Sequence, residues 1–416
     1  MPLSAAVTLG ALVAAVAGGV LWFLCTGANP LGGYQALLLH YMLFMMLALG
    51  GVVFAAIQYV ASARWSIVVR RLAEGMAAFL PIAFLVFLLL WAMGGETLYH
   101  SEVVRDVMTK QVGVAGEITG ATEVEVVRPD FAHELHHSKA VYLSHNAMLI
   151  KGIVYYAIWL AMAFVMIKVN SVDQDKKKDP AAHNRNKKLS IAFLILFAAT
   201  FSLHSLDMLS ALEARFFSTM FGVYTFAGLF LSTLAVLTML THYMRRRSPA
   251  VREVIQERHI YDLGTWMMAF SVFMIYIGFS QYMLIWYANL PEETFYMIHR
   301  TQNGWEYVFA LLPFLKWFIP FAVLMPQPFR ANPKIQIIVA LAILTGQWFD
   351  LYWMIYPVFS KAGPFMTGAA GMGALLGSFL ALFGLFALAT GFFFKTTSPL
   401  AVGDPHILSS ANGSYL

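Results

Sequence analysis

The stretch Ala36–Val60, ALLLHYMLFMMLALGGVVFAAIQYV, decides the fold. It contains no Asp, Glu, Lys or Arg. About 20 consecutive apolar residues cross the roughly 30 Å hydrocarbon layer of a membrane as a helix, in which every backbone hydrogen bond is satisfied internally. The sequence therefore predicts a transmembrane helix here.

Similar apolar blocks lie on both sides of this stretch. Together with it they cover approximately residues 5–25, 36–60, 76–94, 141–167, 189–209, 218–242, 263–286, 305–325, 335–357 and 369–394. Only 12% of all residues are charged, against roughly 25% in soluble domains. The predicted fold class is therefore an all-α integral membrane protein with ten transmembrane helices.

Helices two to five and six to nine are similar in number and length, which favours two four-helix bundles with flanking helices. Residues 1–35 then hold the first helix and an outer loop, and residues 36–210 hold the first bundle with an extracytoplasmic loop at 95–140. Residues 211–360 form the second bundle, and residues 361–416 the last helix and a cytoplasmic tail.

The basic residues predict the orientation. Loops after even-numbered helices and the C-terminal tail carry 18 Lys and Arg, whereas loops after odd-numbered helices carry 7. Because cytoplasmic loops are enriched in Lys and Arg, both termini are expected in the cytoplasm. The first apolar block lacks a basic segment before it and is interpreted as a retained helix. The single cysteine, Cys25, excludes a disulfide framework and a cysteine-held iron–sulfur cluster within this chain.

Ionisable and polar residues inside the apolar blocks are the candidates for chemistry, because a charge in hydrocarbon costs about 2.5–3.5 kcal/mol on insertion scales. His40 and His145 are expected within about a turn of the outer ends of helices two and four. His204 and Asp207 are expected near the outer end of helix five, on one helix face. Asp350 is expected about two turns below the outer end of helix nine, with Gln347 on the same face. Lys151 and Lys316 are expected near the midplane.

Two kinds of site need such residues. A proton path needs groups that titrate near neutral pH, and low dielectric shifts the pKa of a carboxylate or lysine in that direction. A quinone site needs a carboxylate or histidine that accepts a proton as electrons leave the quinol. Interhelical bonding that only fixes the packing is the alternative. A buried haem b is a further alternative, since His40, His145 and His204 lie at compatible depths. No metal site, catalytic nucleophile or nucleic-acid-binding module is identified.

Several stretches resemble one family. They are residues 58–66 with 70–74 and Pro81, residues 205–207 with 217–224, residues 261–264, residues 350–353, Asp404-Pro405 and, most extensively, residues 279–294, FSQYMLIWYANLPEET. Together they resemble the second quinone-binding-type membrane subunit of alternative complex III, a bacterial quinol:cytochrome c oxidoreductase. That subunit belongs to the polysulfide-reductase (NrfD-like) membrane family.

The resemblance implies a bacterial plasma-membrane protein that is part of a respiratory or photosynthetic quinol:electron-acceptor oxidoreductase. It implies a paralogous NrfD-like membrane subunit as partner, and extracytoplasmic subunits that carry iron–sulfur clusters and c-type haems. No covalently bound cofactor is expected in this chain. The outer loops, 95–140 and 287–304, are interpreted as contacts for these partners. Membrane lipid is the other expected partner, and nucleic acid is not.

The resemblance adds three candidates on motif residues, Asp262, Gln281 and Tyr282, and the complete set follows. The proton-path or quinone-contact candidates are His40, His145, Lys151, His204, Asp207, Asp262, Gln281, Tyr282, Lys316 and Asp350. Within the family the sister subunit lies beside an iron–sulfur cluster, so the resemblance leaves open whether this chain contacts quinone or is catalytic. A stand-alone proton channel or secondary transporter, and a purely structural anchor, are the alternative functions.

Overall fold

A computed structural model describes residues 4–99, 137–177, 181–214, 216–360, 363–365 and 367–412. Over these ranges the chain contains no β-strand, and ten helices are long and apolar enough to cross a membrane. The predicted fold class is thus confirmed. The ten helices are α1 (Ala5–Ala28), α2 (Pro30–Val60), α3 (Ile67–Tyr99), α4 (His145–Asp175), α5 (Ala181–Leu212), α6 (Phe221–Arg247), α7 (Glu257–Ala288), α8 (Trp305–Leu324), α9 (Pro333–Val358) and α10 (Gly368–Thr396).

Helices α2 and α9 begin with the same local chemistry. Asn29 precedes Pro30, and its side chain accepts a hydrogen bond from the backbone N–H of Gly32. Asn332 precedes Pro333 and accepts in the same way from Lys334 and Ile335. Proline suits the first helical position because the N–H that it lacks would have no partner there, and the asparagine caps the next free N–H groups. Helix α2 therefore starts at residue 30, six residues before the predicted start.

Helix α3 starts at Ile67, nine residues before the predicted start, because its first turns contain charged residues that lower the hydropathy. Arg70, Arg71 and Glu74 are each 1% exposed. Arg71 contacts Glu74 at 3.0 Å and Asp175 at 2.7 Å, and Arg70 contacts Asp404 at 2.7 Å. Both arginines, expected in the loop between helices two and three, are instead buried in ion pairs at the end of the bundle.

The helices pack as two rings of four. In the first ring α2 contacts α3, α3 contacts α4, α4 contacts α5, and α5 contacts α2. Helices α6 to α9 close the second ring in the same order. The rings meet where α6 packs against α2 and α5, and where α9 packs against α2. Helices α1 and α10 pair with each other outside the rings and pack on α2. This arrangement agrees with the predicted pair of four-helix bundles.

Hydrogen bonds across helices define the two ends of the molecule. The segment after α10 lies against one end, which we call the tail face: Gly403 N–H donates to Asp175 at 2.9 Å, and Arg258 donates to the carbonyl of Ala411. At the opposite face the hydroxyl of Tyr99 donates to the carbonyl of Met208 at 2.8 Å. Successive helices therefore run in alternate directions between the two faces.

Glycines allow α1 and α10 to approach closely. A Cβ atom added at Gly377 would lie 2.5 Å from the backbone nitrogen of Trp22, and one added at Gly18 would lie 2.7 Å from the carbonyl oxygen of Gly377. Small residues permit such backbone contact between membrane helices, where van der Waals packing replaces the hydrophobic effect as the source of association.

Large apolar side chains cover the outside of the bundles. Ile195, Ile338 and Phe392, on three different membrane-spanning helices, are 64–68% exposed. Such an apolar exterior suits contact with lipid rather than water. The predicted loop 95–140 is shorter than expected at both ends, because α3 continues to Tyr99 and a short helix covers His137–Tyr142. Residues 100–136 of that loop lie outside the described residues.

Candidate functional site

A lysine–aspartate pair joins α4 to α5 in the first bundle. Lys151 Nζ lies 2.8 Å from Asp207 Oδ1, and the hydroxyl of Tyr155 donates to Asp207 Oδ2 at 3.2 Å. The ammonium group also lies over the ring of Tyr142. The side chain of Asp207 is 4% exposed and that of Lys151 is 19% exposed. We call these two residues the first pair.

His204 lies one helical turn before Asp207, among aromatic rings. Its ring centroid is 5.2 Å from that of Trp159 and about 6 Å from those of Tyr155 and Tyr156. Its Nε2 lies 3.1 Å from the hydroxyl of Tyr41, which accepts a hydrogen bond from Tyr156 at 2.9 Å. The core of the first bundle beside the first pair is therefore filled by rings around one buried imidazole.

The second bundle contains an equivalent pair between α8 and α9. Lys316 Nζ lies 2.6 Å from Asp350 Oδ2 and donates to Gln347 Oε1 at 2.9 Å. The hydroxyl of Tyr224, on α6, donates to Asp350 Oδ1 at 2.6 Å. The side chains of Lys316 and Asp350 are 3% and 1% exposed. This second pair is buried more completely than the first.

Two glycines make room for the second pair. A Cβ atom at Gly346 would lie 2.6 Å from Cγ of Lys316, and one at Gly228 would lie 2.6 Å from Oε1 of Gln347. The lysine stem thus passes through space that any other residue at position 346 would occupy. Both glycines lie within helices, where a glycine destabilises by about 0.5–1 kcal/mol relative to alanine.

The two pairs hold matching places in the two rings. In each bundle the lysine is on the third helix and the aspartate on the fourth, and a tyrosine hydroxyl donates to the aspartate. His204 and Gln347 precede their aspartates by the same three residues. The pairs differ in depth. Asp350 is eight residues from the end of α9 and Asp207 is five from the end of α5, so the second pair lies about one turn deeper.

The two lysine-bearing helices both contain a π-helical segment. In α4 it covers Phe164–Val172, and in α8 it covers Phe314–Phe318, which includes Lys316 itself. Such wide turns are rare in helices and occur frequently at functional sites. In α8 the segment follows Pro313, whose ring cannot take part in regular helical hydrogen bonding.

A cavity of about 370 Å³ lies inside the second bundle beside Lys316. Its wall is mainly aromatic and aliphatic. The polar side chains of the wall are Tyr224, Gln281, Tyr282, Tyr296 and Lys316. Phe279 also lines the cavity and is 59% exposed on α7, so this wall reaches the lipid-facing surface. We call this space the α6–α9 cavity.

The short helix Pro291–His299 closes the α6–α9 cavity at the opposite face. Tyr296 stacks on Phe216 with ring centroids 3.8 Å apart, and burial raises the pKa of Tyr296 to about 12. Arg300 follows this helix, is 0% exposed, and donates to Glu213 at 2.9 Å and to the carbonyl of Met354 at 2.9 Å. The helix is thus fixed to the ends of α5 and α9.

His40 bonds to three helices and takes no part in either pair. Its Nε2 accepts a hydrogen bond from Trp348 Nε1 at 2.8 Å on α9. Its Nδ1 lies 2.9 Å from the carbonyl of Ala36 and 2.8 Å from the hydroxyl of Ser378 on α10. Because the indole N–H only donates, Nε2 is an acceptor and the imidazole is neutral here. These hydrogen bonds connect α2 with α9 and α10.

The structure places two predicted candidates away from the pairs. His145 is the first residue of α4 and packs on Trp91, with ring centroids 4.9 Å apart. Asp262 lies in the second turn of α7 at the tail face, at the other end of that helix from Gln281 and Tyr282. The remaining candidates other than His40 form two groups. Lys151, His204 and Asp207 lie in the first bundle, and Gln281, Tyr282, Lys316 and Asp350 in the second.

Two predicted depths differ from the structure. Lys151 was expected near the midplane, which is wrong: it lies six residues after the first residue of α4, less than two turns from that end. His40 was expected one turn from the end of its helix, but because α2 starts at Pro30 it lies almost three turns in. Lys316 lies near the middle of α8, as predicted.

Sequence reasoning missed the tyrosines that bind the aspartates. Tyr155 follows Lys151 by four residues and so lies on the same helix face, which the spacing indicated. Tyr224 comes from a helix distant in sequence, and no periodicity connects it with Asp350. Tyr41 and Tyr156, beside His204, were missed for the same reason.

A search with protein-family models found no match to the chain, and neither did a search of curated protein sequences.

Proposed function

We propose that this chain is a membrane subunit of a quinol:electron-acceptor oxidoreductase of the alternative complex III type, and that its two lysine–aspartate pairs transfer protons. The observation that carries the proposal is the occurrence of the pairs at matching places in both bundles. Ionisable residues within a membrane are energetically unfavourable and are in general functional. Helix packing alone would not require an ion pair at the same place in each of the two rings.

The geometry suits proton transfer because each pair is neutral as a unit. A proton that reaches Asp350 removes its charge and leaves the ammonium of Lys316 without a counter-ion in a buried setting, which is unfavourable. Uptake of one proton by a pair therefore favours release of another. Tyr224 and Tyr155 donate to the aspartates, so their hydroxyls are the neighbouring groups through which a proton can pass.

The distribution of charge supports an orientation. The last turn of α6 carries Arg245, Arg246 and Arg247 at the tail face, and Arg330 lies at the same face. In a bacterial plasma membrane this face would be cytoplasmic, with both termini. The opposite face, nearer to both pairs, would then meet the iron–sulfur and c-type haem subunits. Exposed aromatic side chains there, Tyr287 at 84% and Tyr307 at 76%, suit a protein partner.

Charge removal within the assembled complex tests the proposal. Asp207→Asn and Asp350→Asn are each compared with Tyr276→Phe, a conservative change at a side chain of α7 that is 64% exposed. Quinol:acceptor turnover and the number of protons released per quinol are measured. We expect the aspartate variants to lose at least one of these activities and the control to keep both. Normal turnover with normal proton release in both aspartate variants would leave only the role of a structural anchor.

One observation favours a second candidate function, a stand-alone proton channel or secondary transporter. Irregular segments at corresponding places in two halves are typical of transporters, and α4 and α8 both contain π-helical segments. Purification of the tagged chain from its native membrane separates the two candidates. Co-purification of haem-bearing subunits supports the oxidoreductase, whereas a chain that purifies alone and conducts protons in liposomes supports the channel.

A further inference from the structure

The α6–α9 cavity has the size and lining of a small-molecule site. Ligand sites usually enclose roughly 300–1,000 Å³ and combine apolar walls with a few convergent polar groups. This cavity measures about 370 Å³ and is lined by rings such as Phe309, Trp317 and Trp353. Flat rings favour a flat, apolar ligand, because stacked and edge-to-face contacts between rings are stabilising.

Gln281 gives the cavity an unused hydrogen-bonding group. The residue is 6% exposed and lines the cavity, and its amide has no hydrogen-bond partner among the described residues. Because the residue lines the cavity, its amide is open to a ligand or an ordered water molecule there. The amide can donate to one oxygen atom of a ligand and accept from another.

Lys316 supplies a second group. Its ammonium has three donors, of which one is directed to Asp350 and one to Gln347. Lys316 also lines the cavity, where its ammonium lies 5.7 Å from the ring centroid of Tyr224, and its third N–H is the one left for a ligand oxygen. The ligand would thus carry oxygen atoms that meet Gln281 and Lys316, on a ring that packs between aromatic side chains.

The route of entry identifies the class of ligand. Phe279 belongs both to the cavity wall and to the lipid-facing surface of α7, so a molecule dissolved in the membrane can enter between helices. In the first bundle, aromatic rings surround His204 with centroids 5.2–6.3 Å from the imidazole. The two bundles therefore have equivalent charge pairs, but the α6–α9 cavity lies beside Lys316, whereas rings pack around His204.

We infer that the α6–α9 cavity of the second bundle binds the head group of a quinone or quinol, with Gln281 and Lys316 at its oxygen atoms and the prenyl tail leaving past Phe279. This inference rests on the proposed function for the class of ligand. It concerns binding alone, and it assigns the site to the second bundle rather than to the first.

Photolabelling of the complex, as purified from membranes, tests the inference. The probe is a short-chain quinone that carries an azido group on its ring. We expect label on peptides that contain residues 274–282 or 309–317, and we expect unlabelled quinone to prevent it. Gln281→Leu, which keeps the volume and removes the hydrogen bonds, should raise the quinone concentration needed for protection about fivefold.

Matched substitutions decide whether the label reports the cavity. Leu312 lines the cavity and is 6% exposed, whereas Leu284 faces lipid and is 53% exposed. Leu312→Trp should fill the space and abolish labelling of these peptides, and Leu284→Trp should leave it unchanged. Label that stays after Leu312→Trp, or that appears only on α2–α5 or on another subunit, would overturn the inference. Equal protection by a prenyl alcohol without a ring would also overturn it, because the site would then bind the tail alone.

The outcomes separate this inference from the proposed function. If the aspartate variants lose turnover but labelling is unchanged in Leu312→Trp, the proposed function is supported and the cavity is rejected as a quinone site. Specific label in the cavity of a preparation that oxidises no quinol would support the binding site and reject the proposed function.

Discussion

His204 and Gln347 hold corresponding positions, three residues before the aspartate in each bundle, but they bond to different partners. Gln347 accepts a hydrogen bond from Lys316 at 2.9 Å, whereas His204 contacts Tyr41 at 3.1 Å. The ammonium of Lys316 in the second bundle therefore donates to two side chains, Asp350 and Gln347. The lysine of the first bundle is held by Asp207 and the ring of Tyr142. Predictions for stability follow from this difference.

Loss of one partner of the second pair should destabilise the protein more than loss of both. Lys316→Met leaves Asp350 buried without a counter-ion, and breaking a buried pair in this way costs about 3–5 kcal/mol. Lys316→Met with Asp350→Asn removes both charges and should recover most of that loss. The midpoint of thermal unfolding in detergent measures both. A double variant no more stable than Lys316→Met alone would contradict the prediction.

Loss of the lysine should destabilise the protein less in the first pair than in the second. The side chain of Lys151 is 19% exposed, against 3% for Lys316, so water and lipid headgroups can better compensate a charge left by Lys151→Met. We expect Lys151→Met to lower the unfolding midpoint by roughly half as much as Lys316→Met. An equal or larger effect at position 151 would show that exposure does not decide the difference between the pairs.

Neighbouring glycines of α1 provide a matched test of helix packing. A Cβ atom at Gly18 would lie 2.8 Å from Cβ of Leu380, whereas nothing lies within 4 Å of one at Gly19. Gly18→Leu should separate α1 from α10 and destabilise by about 1–3 kcal/mol, as overpacking does. Gly19→Leu points toward lipid and should be nearly neutral. The unfolding midpoints of the two variants give the comparison, and similar values would exclude close packing as the reason for Gly18.

The charge of Asp404 should hold the segment after α10 in place across the neutral pH range. Burial disfavours the charged form of Asp404 and by itself would raise its pKa. The neighbouring ring of His183 and the charge of Arg70 lower the pKa by more, so it lies well below its ordinary value of 3.8. A lowered pKa means that Asp404 stabilises the fold fully above that ordinary value, and that the contribution decreases as the pH falls below it.

Hydrogen exchange of residues 399–412 measures this attachment. Exchange should be slow and nearly constant from pH 5 to 8 after correction for the intrinsic rate, and Asp404→Asn should accelerate it at every pH in that range. Ser409→Ala, which removes only a local bond to the carbonyl of His406, is the control. Unchanged exchange in Asp404→Asn would show that other contacts hold the segment.

The number and order of the long helices were predictable because each helix contains enough apolar residues to cross a membrane without help from its neighbours. The start of α3 was not predictable, because Arg70, Arg71 and Glu74 resemble loop residues until their partners in α4 and after α10 are known. Hydropathy measures one segment at a time. It cannot register a charge that another segment neutralises.

The candidate site was predictable in its residues but not in its pairing. Burial of Lys151, Asp207, Lys316 and Asp350 followed from their places within apolar blocks. Each lysine pairs with an aspartate of the next helix only at a particular helix rotation and depth. Errors of a few residues at the predicted helix ends leave both undetermined. Gln281 was selected through its motif, and the cavity that gives this residue a role depends on the packing of four helices together.

The pairing of α1 with α10 also sets an order of events during synthesis. The side chain of Asn29, at the end of α1, donates to the carbonyl of Thr367, which is 338 residues later in the chain. At about 5–20 residues per second, a ribosome needs roughly 20–70 s to make that interval. Helix α1 must remain in the bilayer for this time without α10, its main partner. Most of its surface faces lipid, so it can stay inserted without that contact. Assembly of the fold therefore ends where it began, when the last helix reaches the first.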